Sequence, residues 1–365
     1  MRLVDIPRES YGTVIVGGGP AGANFARLAN FDEGKVLLID GAPKNGKVCG
    51  GLISPDAQGV LARYDVNLPT DILVSPQLFS VRTIDLETRR VRYYKRNYLN
   101  VNRAELDKYF LKMVPDGIEG ITARCVSVKR EGQGFLLTVE KSGVRYEVRC
   151  DRVVGADGAS SVVRSNLFPK KKLKKYTAIQ QWFAAEGSDP CYSCVFDSST
   201  SDSCSWIFFK DGMLIFGGAF EAQGSRAAFE EQKRKLVQMG AVGRQAFDSP
   251  VRTEACRVVR PTLSGGIFCG DGGAFLIGEA AGFISPSSLE GISFALESSE
   301  ALADAFEASS DSRKMLKKYK GLTQKLRAKV AVKCLKRPFM YQKLLRNAVM
   351  RSGVTAIKLK TQKNK

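Results

Sequence analysis

The stretch from Thr13 to Asp40 constrains this chain more than any other. It reads Thr13-Val14-Ile15-Val16, then Gly17-Gly18-Gly19-Pro20-Ala21-Gly22, then a run of small residues, then Val36-Leu37-Leu38-Ile39-Asp40. That order predicts strand, glycine turn, helix, strand and a terminal acid. Gly17 permits the tight turn. Gly19 lets a pyrophosphate approach the backbone. Gly22 lets the helix pack close to the strand. Pro20 and Ala21 open the helix, whose N-terminus offers unpaired N–H groups and a positive dipole end to phosphates. Asp40 lies 18 residues beyond Gly22, where a carboxylate can accept hydrogen bonds from an adenosine ribose. The pattern predicts dinucleotide binding. The alternative is a glycine turn in a βαβ unit that holds no ligand.

The 365 residues suffice for two domains with a sizeable core. Met1 to Gly12 contains no apolar core region, so no signal peptide is expected. No apolar run reaches the roughly 18 residues that a spanning helix needs. Nine cysteines, an odd and scattered set, do not read as a disulfide framework. A reducing cytoplasmic setting is therefore expected. Histidine is absent. This excludes a Ser-His-Asp triad, a Cys-His pair, histidine-ligated zinc and a histidine base. Carboxylates, cysteine, tyrosine, lysine or a cofactor must carry the chemistry. Cys191-Tyr192-Ser193-Cys194 has redox or zinc spacing, but no second pair completes a metal site. On a strand, positions i and i+3 face opposite ways. No metal is expected.

The net charge of +19 is concentrated at one end. Arg313 to Lys365 holds 18 Lys and Arg and no Asp or Glu; the other 38 Lys and Arg face all 37 Asp and Glu. Two basic helices are expected there, roughly 312–336 and 338–352, separated by Pro338. Leu316, Tyr319, Leu322, Leu326 and Val330 recur at helical spacing, and Phe339, Met340, Leu344, Leu345 and Val349 follow. Such helices suit an anionic membrane surface. Alternatively, their apolar faces dock on the body while the charges stay wet, and both can hold together. Nucleic acid is not expected, because no recognised binding fold is present.

Between these ends, Cys49-Gly50-Gly51 places two glycines where a backbone must approach something closely. Residues 76–96 alternate as antiparallel strands do. Strands are expected at 123–130, 134–140 and 144–150, with Gly132 and Gly143 at the turns. Val153-Val154-Gly155 predicts a separate buried strand ending in the acidic turn Ala156-Asp157-Gly158. Strands at 176–185, 191–198, 204–210 and 213–220 and a helix at 225–240 predict a second sheet. The chain then returns through Ala274–Ile277, Gly278-Glu279-Ala280-Ala281-Gly282 and a helix from Gly291 to Ala308.

Three separated motifs, Gly17–Gly22, Gly155-Ala156-Asp157-Gly158 and Gly278–Gly282, together resemble the FAD-dependent oxidoreductases of the p-hydroxybenzoate-hydroxylase-like fold. Cys49-Gly50-Gly51 resembles the CGG stretch of the geranylgeranyl reductase family within them. Cys204-Ser205-Trp206-Ile207-Phe208-Phe209-Lys210 resembles that family's Y-x-W-x-F-P-K segment, with Cys204 in place of tyrosine and Phe209 in place of proline. The late motif carries Glu279 where the family usually has aspartate. The whole chain is most similar to the CbrA-type bacterial branch. The resemblance implies an α/β fold with α+β elements: a Rossmann-like FAD-binding domain with an inserted antiparallel-sheet substrate domain and C-terminal basic helices. The expected division is 1–75, 97–165 and 260–310 for FAD, 76–96 and 166–259 for substrate, and 311–365 for the basic helices.

The resemblance also implies roles. Asp40 holds the adenosine ribose and Arg103 neutralises the pyrophosphate. Asp157 helps fix the cofactor, and Gly50 and Gly51 lie against it. Glu279 and Gly282 sit at the ribityl end, and Gly291 and Ile292 bring backbone N–H groups to the flavin ring. Cys49 is either a proton donor near the flavin or a small buried residue in a glycine turn. Trp206 and Phe208 line an apolar pocket or belong to the core. Glu290 is an acid catalyst or a surface carboxylate. The activity implied is reduction of C=C bonds in a prenyl or other apolar, lipid-like substrate by hydride from reduced FAD. The electron donor is NAD(P)H, a ferredoxin or another donor protein. A flavin monooxygenase and a non-catalytic, flavin-bearing peripheral membrane protein are the competing readings. The expected location is the cytoplasm, peripheral to the inner face of the membrane.

Overall fold

The computed structural model describes residues 1–41, 49–185, 187 and 189–358. The last part of the basic tail, 359–365, lies outside the described residues. The chain runs β1 (Arg2–Leu3), β2 (Ser10–Val16), α1 (Pro20–Leu28), β3 (Val36–Asp40), β4 (Leu52–Ile53), α2 (Pro55–Arg63), β5 (Leu78–Asp85), β6 (Arg90–Asn100) and α3 (Arg103–Lys112). β7 (Glu119–Thr122), β8 (Arg124–Glu131), β9 (Gly134–Lys141) and β10 (Val144–Gly155) lead to α4 (Val162–Leu167). Then come β11 (Lys174–Ala184), β12 (Cys191–Phe196), β13 (Ser205–Lys210), β14 (Met213–Glu221), α5 (Ser225–Met239) and β15 (Arg252–Arg260). The chain ends with β16 (Gly270–Asp271), β17 (Ala274–Leu276), α6 (Gly278–Ala281), α7 (Ile292–Glu307), α8 (Ser312–Leu322), α9 (Gln324–Tyr341), α10 (Lys343–Ser352) and β18 (Ala356–Ile357).

Two sheets organise these elements. The first has the order β1-β7-β3-β2-β10-β17-β16. Its centre is parallel: β3, β2, β10 and β17 all run the same way. Val14, Ile15, Leu37, Leu38, Val153 and Val154 have no exposed surface there, as expected for strands covered on both faces. The second sheet has the order β15-β11-β14-β13-β12-β5-β6-β18. Its neighbours are antiparallel except β12 and β5, which run parallel. That one departure from the expected antiparallel sheet arises because the early β5–β6 hairpin docks beside a strand from much later in the chain. Helix α5 covers one face of this sheet, burying Phe229 and Leu236 against Phe216 and Phe220.

Sequence pattern and structure differ at three places. The strands expected at 144–150 and 153–155 form one continuous strand, β10. Its first half pairs antiparallel with β9, and its second half pairs parallel with β2 and β17. The polar residues Asp151 and Arg152 read as a break, but Asp151 faces solvent and Arg152 bonds the backbone of Ser310 at 2.7 Å. β15 carries no strong strand pattern, since its first six residues are largely wet, yet it pairs along its whole length with β11. The basic tail forms three helices, and Pro338 lies inside α9 instead of separating two of them. A proline so close to the C-terminus removes only one of the last intrahelical bonds. The turn comes at Gln342, whose backbone is extended.

The helical tail is packed on the body. α8 and α9 bury Met315, Leu316, Tyr319, Leu326, Val330 and Cys334 in the main core. The Tyr319 hydroxyl donates to the Leu276 carbonyl at 2.9 Å. Leu322 stays exposed. α10 is fastened by Arg346, which is buried and donates to both oxygens of Asp85 at 3.0 Å and to Glu87 at 2.6 Å. The Asp85 side chain has no exposed surface. Burial alone would raise its pKa, but Arg346 and neighbouring N–H donors more than offset this and hold it below the ordinary carboxylate range. A depressed carboxylate stabilises the fold above its unfolded pKa and loses that contribution as the pH falls through the folded value. Arg346→Met should therefore cost about 3–5 kcal/mol near neutral pH, by leaving Asp85 buried and unpaired. The difference from wild type should shrink as the pH drops through the carboxylate range. Thermal unfolding of both proteins across that range checks the sign.

Candidate functional site

The glycine motifs converge at the C-terminal ends of the parallel strands, where open α/β sheets bind ligands. Gly17 follows β2 with φ +112°, and a Cβ there would stand 2.5 Å from the Ala156 carbonyl oxygen. A Cβ on Gly22 would fall 1.9 Å from the Gly17 carbonyl oxygen, so α1 lies on the turn that precedes it. Gly278 has φ +55°, and its missing Cβ would meet that of Ala21 at 3.0 Å. The Asp40 carboxyl rests against Gly18. Gly158 is next to Glu279, whose Oε2 would lie 3.9 Å from an added Cβ. Segments separated by more than 100 residues thus meet in one cradle.

The cradle fits a dinucleotide on three counts. Gly19 is the one glycine of its turn with nothing within 4 Å of an added Cβ. Helix α1 starts at Pro20 without a side-chain cap, so its first N–H groups are offered to a ligand. Asp157 is half-buried and its Oδ2 accepts the N–H groups of Val162 and Val163 at 2.6 and 3.2 Å. Its Oδ1 is buried without a partner. Burial raises the pKa of this carboxyl, despite the donors that favour its charged form.

Glu279 has a second task. Its Oε1 accepts the backbone N–H of Val259 at 3.0 Å, which ties the late motif to β15. Gly282, at φ +90°, packs on the Gly266 carbonyl. Arg164 completes this scaffold by donating to the carbonyls of Ala280 and Gly266 at 2.8 and 3.0 Å. Glu290 caps the helix it precedes. Its oxygens accept the N–H of Ser293 at 2.9 Å and the Ser293 hydroxyl at 2.7 Å. Gly291 and Ile292 form the N-terminus of α7. Gly291 has φ −127°, and an added Cβ would meet only Ile284 at 3.6 Å, so neither a left-handed turn nor a clash requires glycine here.

The Cys49 loop joins the two sheets. Gly51 takes φ +68°, and a Cβ there would meet the Val101 carbonyl at 2.2 Å and Lys210 Nζ at 2.5 Å. Gly50 lies against the Phe208 ring. Lys210 is buried and donates to the carbonyls of Gly50 and Val101 at 2.8 and 2.7 Å. Burial lowers its pKa to about 8, although Cys49 and Asp211 partly oppose that. The Gly51 N–H points at the Cys49 thiol at 3.5 Å. Arg103 donates to Asp107 at 2.8 Å and lies near enough to Cys49 to interact with it electrostatically. Burial opposes the charge on Arg103, but Asp107 and Cys49 keep its pKa above the ordinary value. Cys49 therefore stands between two cations. The sequence hid this because Lys210 lies 161 positions away.

Facing this loop, the second sheet presents an aromatic wall. Trp206 and Phe208 share one face of β13, as their alternation predicts. Phe208 is fully buried, packed with Leu78 and Ile215; Trp206 is half-buried. The Trp206 indole lies across Gly217 and donates to Gln180 at 3.1 Å. The Tyr98 and Tyr192 rings meet at a tilt of 45° with 5.2 Å between centres, and Tyr192 lies 6.1 Å from Phe208. Cys194 lies with Cys204, not Cys191: both pack with Tyr341 and Phe196. Cys191 points to the other side, as strand geometry requires. Among the described residues all nine cysteines are free and no cluster could hold a metal.

A surface cleft lined by Thr13, Asn30, Lys35, Arg152 and Phe306 lies at the other ends of the strands. It shares no residue with the cradle. The cradle makes a sharp expectation for Gly19, whose φ of −70° suits alanine. Gly19→Ala should leave the apoprotein's stability within about 0.5 kcal/mol. It should weaken FAD binding at least about tenfold, or about 1.4 kcal/mol, because the methyl fills space reserved for phosphate. Flavin-fluorescence titration beside thermal melting separates the two effects.

No family model matches the chain. It is 39% identical over 356 residues to protein CbrA of Escherichia coli O6:H1, covering 96% of this chain and 95% of that one. The same identity and share of this chain hold for CbrA of Shigella sonnei, with 98% of the relative covered. Its fold superposes on a geranylgeranyl bacteriochlorophyll reductase-like protein from Thermoplasma acidophilum, with TM-score 0.77, 19% identity, and 97% and 93% of the two chains covered. It also superposes on CmlS, a flavin-dependent halogenase, with TM-score 0.65, 17% identity, and 88% and 62% covered. The chain belongs to the CbrA family and has the FAD-dependent oxidoreductase fold of the geranylgeranyl reductase-like proteins.

Proposed function

We propose that this protein is a FAD-dependent oxidoreductase that reduces C=C bonds of a prenyl or similarly apolar substrate. The observation that carries the reading is the aromatic wall of Trp206, Tyr192 and Tyr98, packed on the buried Phe208 beside the Cys49–Gly51 loop. An apolar wall of this kind gives a hydrocarbon substrate dispersion contacts and excludes water. With no histidine in the chain, the proton must come from another group.

When bound, FAD supplies hydride transfer. The protein's own residues do the rest. Gly17, Gly19 and Gly22 with the start of α1 receive the diphosphate, and Asp40 the ribose. Asp157 and Glu279 fix the far end of the cradle. Gly291 and Ile292 present the N-terminus of α7, whose positive end favours negative charge on a ring nearby. The Cys49 thiol, held by the Gly51 N–H and close to Arg103, gives a proton to the carbon that receives no hydride. Lys210 fixes the loop that carries this thiol. Glu290, committed to Ser293, keeps α7 in place. Electrons arrive from NAD(P)H or a ferredoxin-like donor. The described residues contain a single glycine fingerprint, so a nicotinamide nucleotide would bind only in passing.

The test is anaerobic. The yellow protein is reduced with dithionite and mixed with geranylgeranyl lipids, and flavin absorbance is followed together with product mass. The reading expects reoxidation without oxygen and a gain of two hydrogens per bond. Cys49→Ser should retain FAD and slow this step about 100-fold. Reoxidation only after air is admitted would reject the reductase and favour a monooxygenase.

A further inference from the structure

The cations of the C-terminal helices fall into two groups. Lys329 and Lys333 turn inward onto Asp56 at 3.3 and 3.2 Å, and Arg337 onto Asp202 at 2.9 Å. Lys325, Lys336 and Arg351 point outward and are exposed. Among the described residues, no carboxylate lies within ion-pair distance of these three.

The outward face is also apolar. On α9, Val332, Leu335 and Phe339 recur at i, i+3 and i+7 and are 58%, 60% and 52% exposed. On α10, Leu344, Leu345 and Val349 are exposed as well, Leu344 to 81%. The opposite face of α9 already buries Leu326, Val330, Cys334 and Tyr341. Folding needs one apolar face of a surface helix, and this helix has two. Exposed apolar residues elsewhere, such as Val251 and Leu263, stand far from these helices in sequence and do not form helical rows.

We propose that the outer face of α9 and α10 is a docking surface for an anionic lipid bilayer. Charge selects the occupant. Of the cations on α9 and α10, Lys325, Lys336 and Arg351 are exposed beside the apolar residues with no carboxylate within ion-pair distance among the described residues, and no Asp or Glu occurs from Arg313 onward. A two-fold contact with a second copy would set like charges against each other. A bilayer of anionic lipid takes the apolar row into its headgroup boundary and pairs its phosphates with the lysines and arginines around it.

The same helix reaches the candidate site. At its end the Tyr341 hydroxyl donates to the Ser287 carbonyl. Arg337 and Arg260 share Asp202, and Arg260 donates to the Pro286 carbonyl at 2.8 Å. One face of α9 meets the bilayer while the other supports the loop that precedes α7. This inference stands whether or not the substrate is a prenyl lipid.

Flotation of the full-length protein with phosphatidylcholine vesicles, with and without phosphatidylglycerol, tests it. Wild type should float only with the anionic vesicles, and raising the salt from about 0.1 M to about 1 M should release it. The double variant Leu335→Glu/Phe339→Glu should lower partitioning at least about tenfold. Its melting temperature and flavin content should be unchanged, because both side chains are exposed. Val251→Glu should behave as wild type. Failure of wild type to float, or flotation unaffected by the double variant, would overturn the proposal. A dimer in sedimentation that the double variant dissolves, without vesicle binding, would assign the face to a second copy and also overturn it.

Discussion

Backbone meets backbone where Gly17, Gly22 and Ala156 come together, and the rest of the molecule depends on that contact. No side chain fits between the Gly17 carbonyl and α1, or between Gly17 and the turn after β10. Such proximity fixes the angle of α1 on the sheet and aims its N-terminus at open space beside Gly19. It also brings the Ala156-Asp157-Gly158 turn within reach of Glu279 and of α6. A cradle of backbone groups cannot be re-aimed by rotamer changes, so it is a rigid place to hold a charged diphosphate. The cost is intolerance: each added methyl at Gly17, Gly22 or Gly278 has a hard neighbour.

The second constraint is the link between sheets. Lys210 extends from β13 and ties Gly50 and the end of β6 with two short bonds. A buried ammonium is an expensive tie, which is why its pKa falls. What it secures is the placement of a glycine loop and a thiol against an aromatic wall. Arg103 does the same from the first residue of α3. Lys210 and the Asp107-paired Arg103 flank one small thiol at the meeting point of the sheets.

Local features were readable and distant pairings were not. The βαβ unit, the acidic turn and the late glycine motif are written in adjacent residues, and the structure brings them together as their order implies. The α/β class and the CbrA-type resemblance hold. The resemblance implies a ribityl role for Glu279 but does not show its bond to Val259, because β15 looks half-polar in sequence. The sequence leaves Glu290 as a catalytic acid or a surface group, and the structure adds its capping bonds to Ser293, three residues on. The i, i+3 spacing of Cys191 and Cys194 on a strand already sets them on opposite faces, and what the sequence does not show is that Cys194 packs with Cys204 on the neighbouring strand. The tail read as amphipathic, and the structure splits it. α8 and the inner face of α9 are core, while the outer face of α9 and α10 stays wet. Helical periodicity locates one apolar stripe, but only packing tells which of two stripes the body uses.

The most direct test of the account is electron density for FAD in crystals of the holoprotein. The account predicts the adenosine ribose at Asp40, the diphosphate over Gly19 and the start of α1, and the flavin ring between the Gly50–Gly51 loop and the N-terminus of α7. A protein that takes up no FAD, or density that places the flavin away from Cys49 and Trp206, would contradict it.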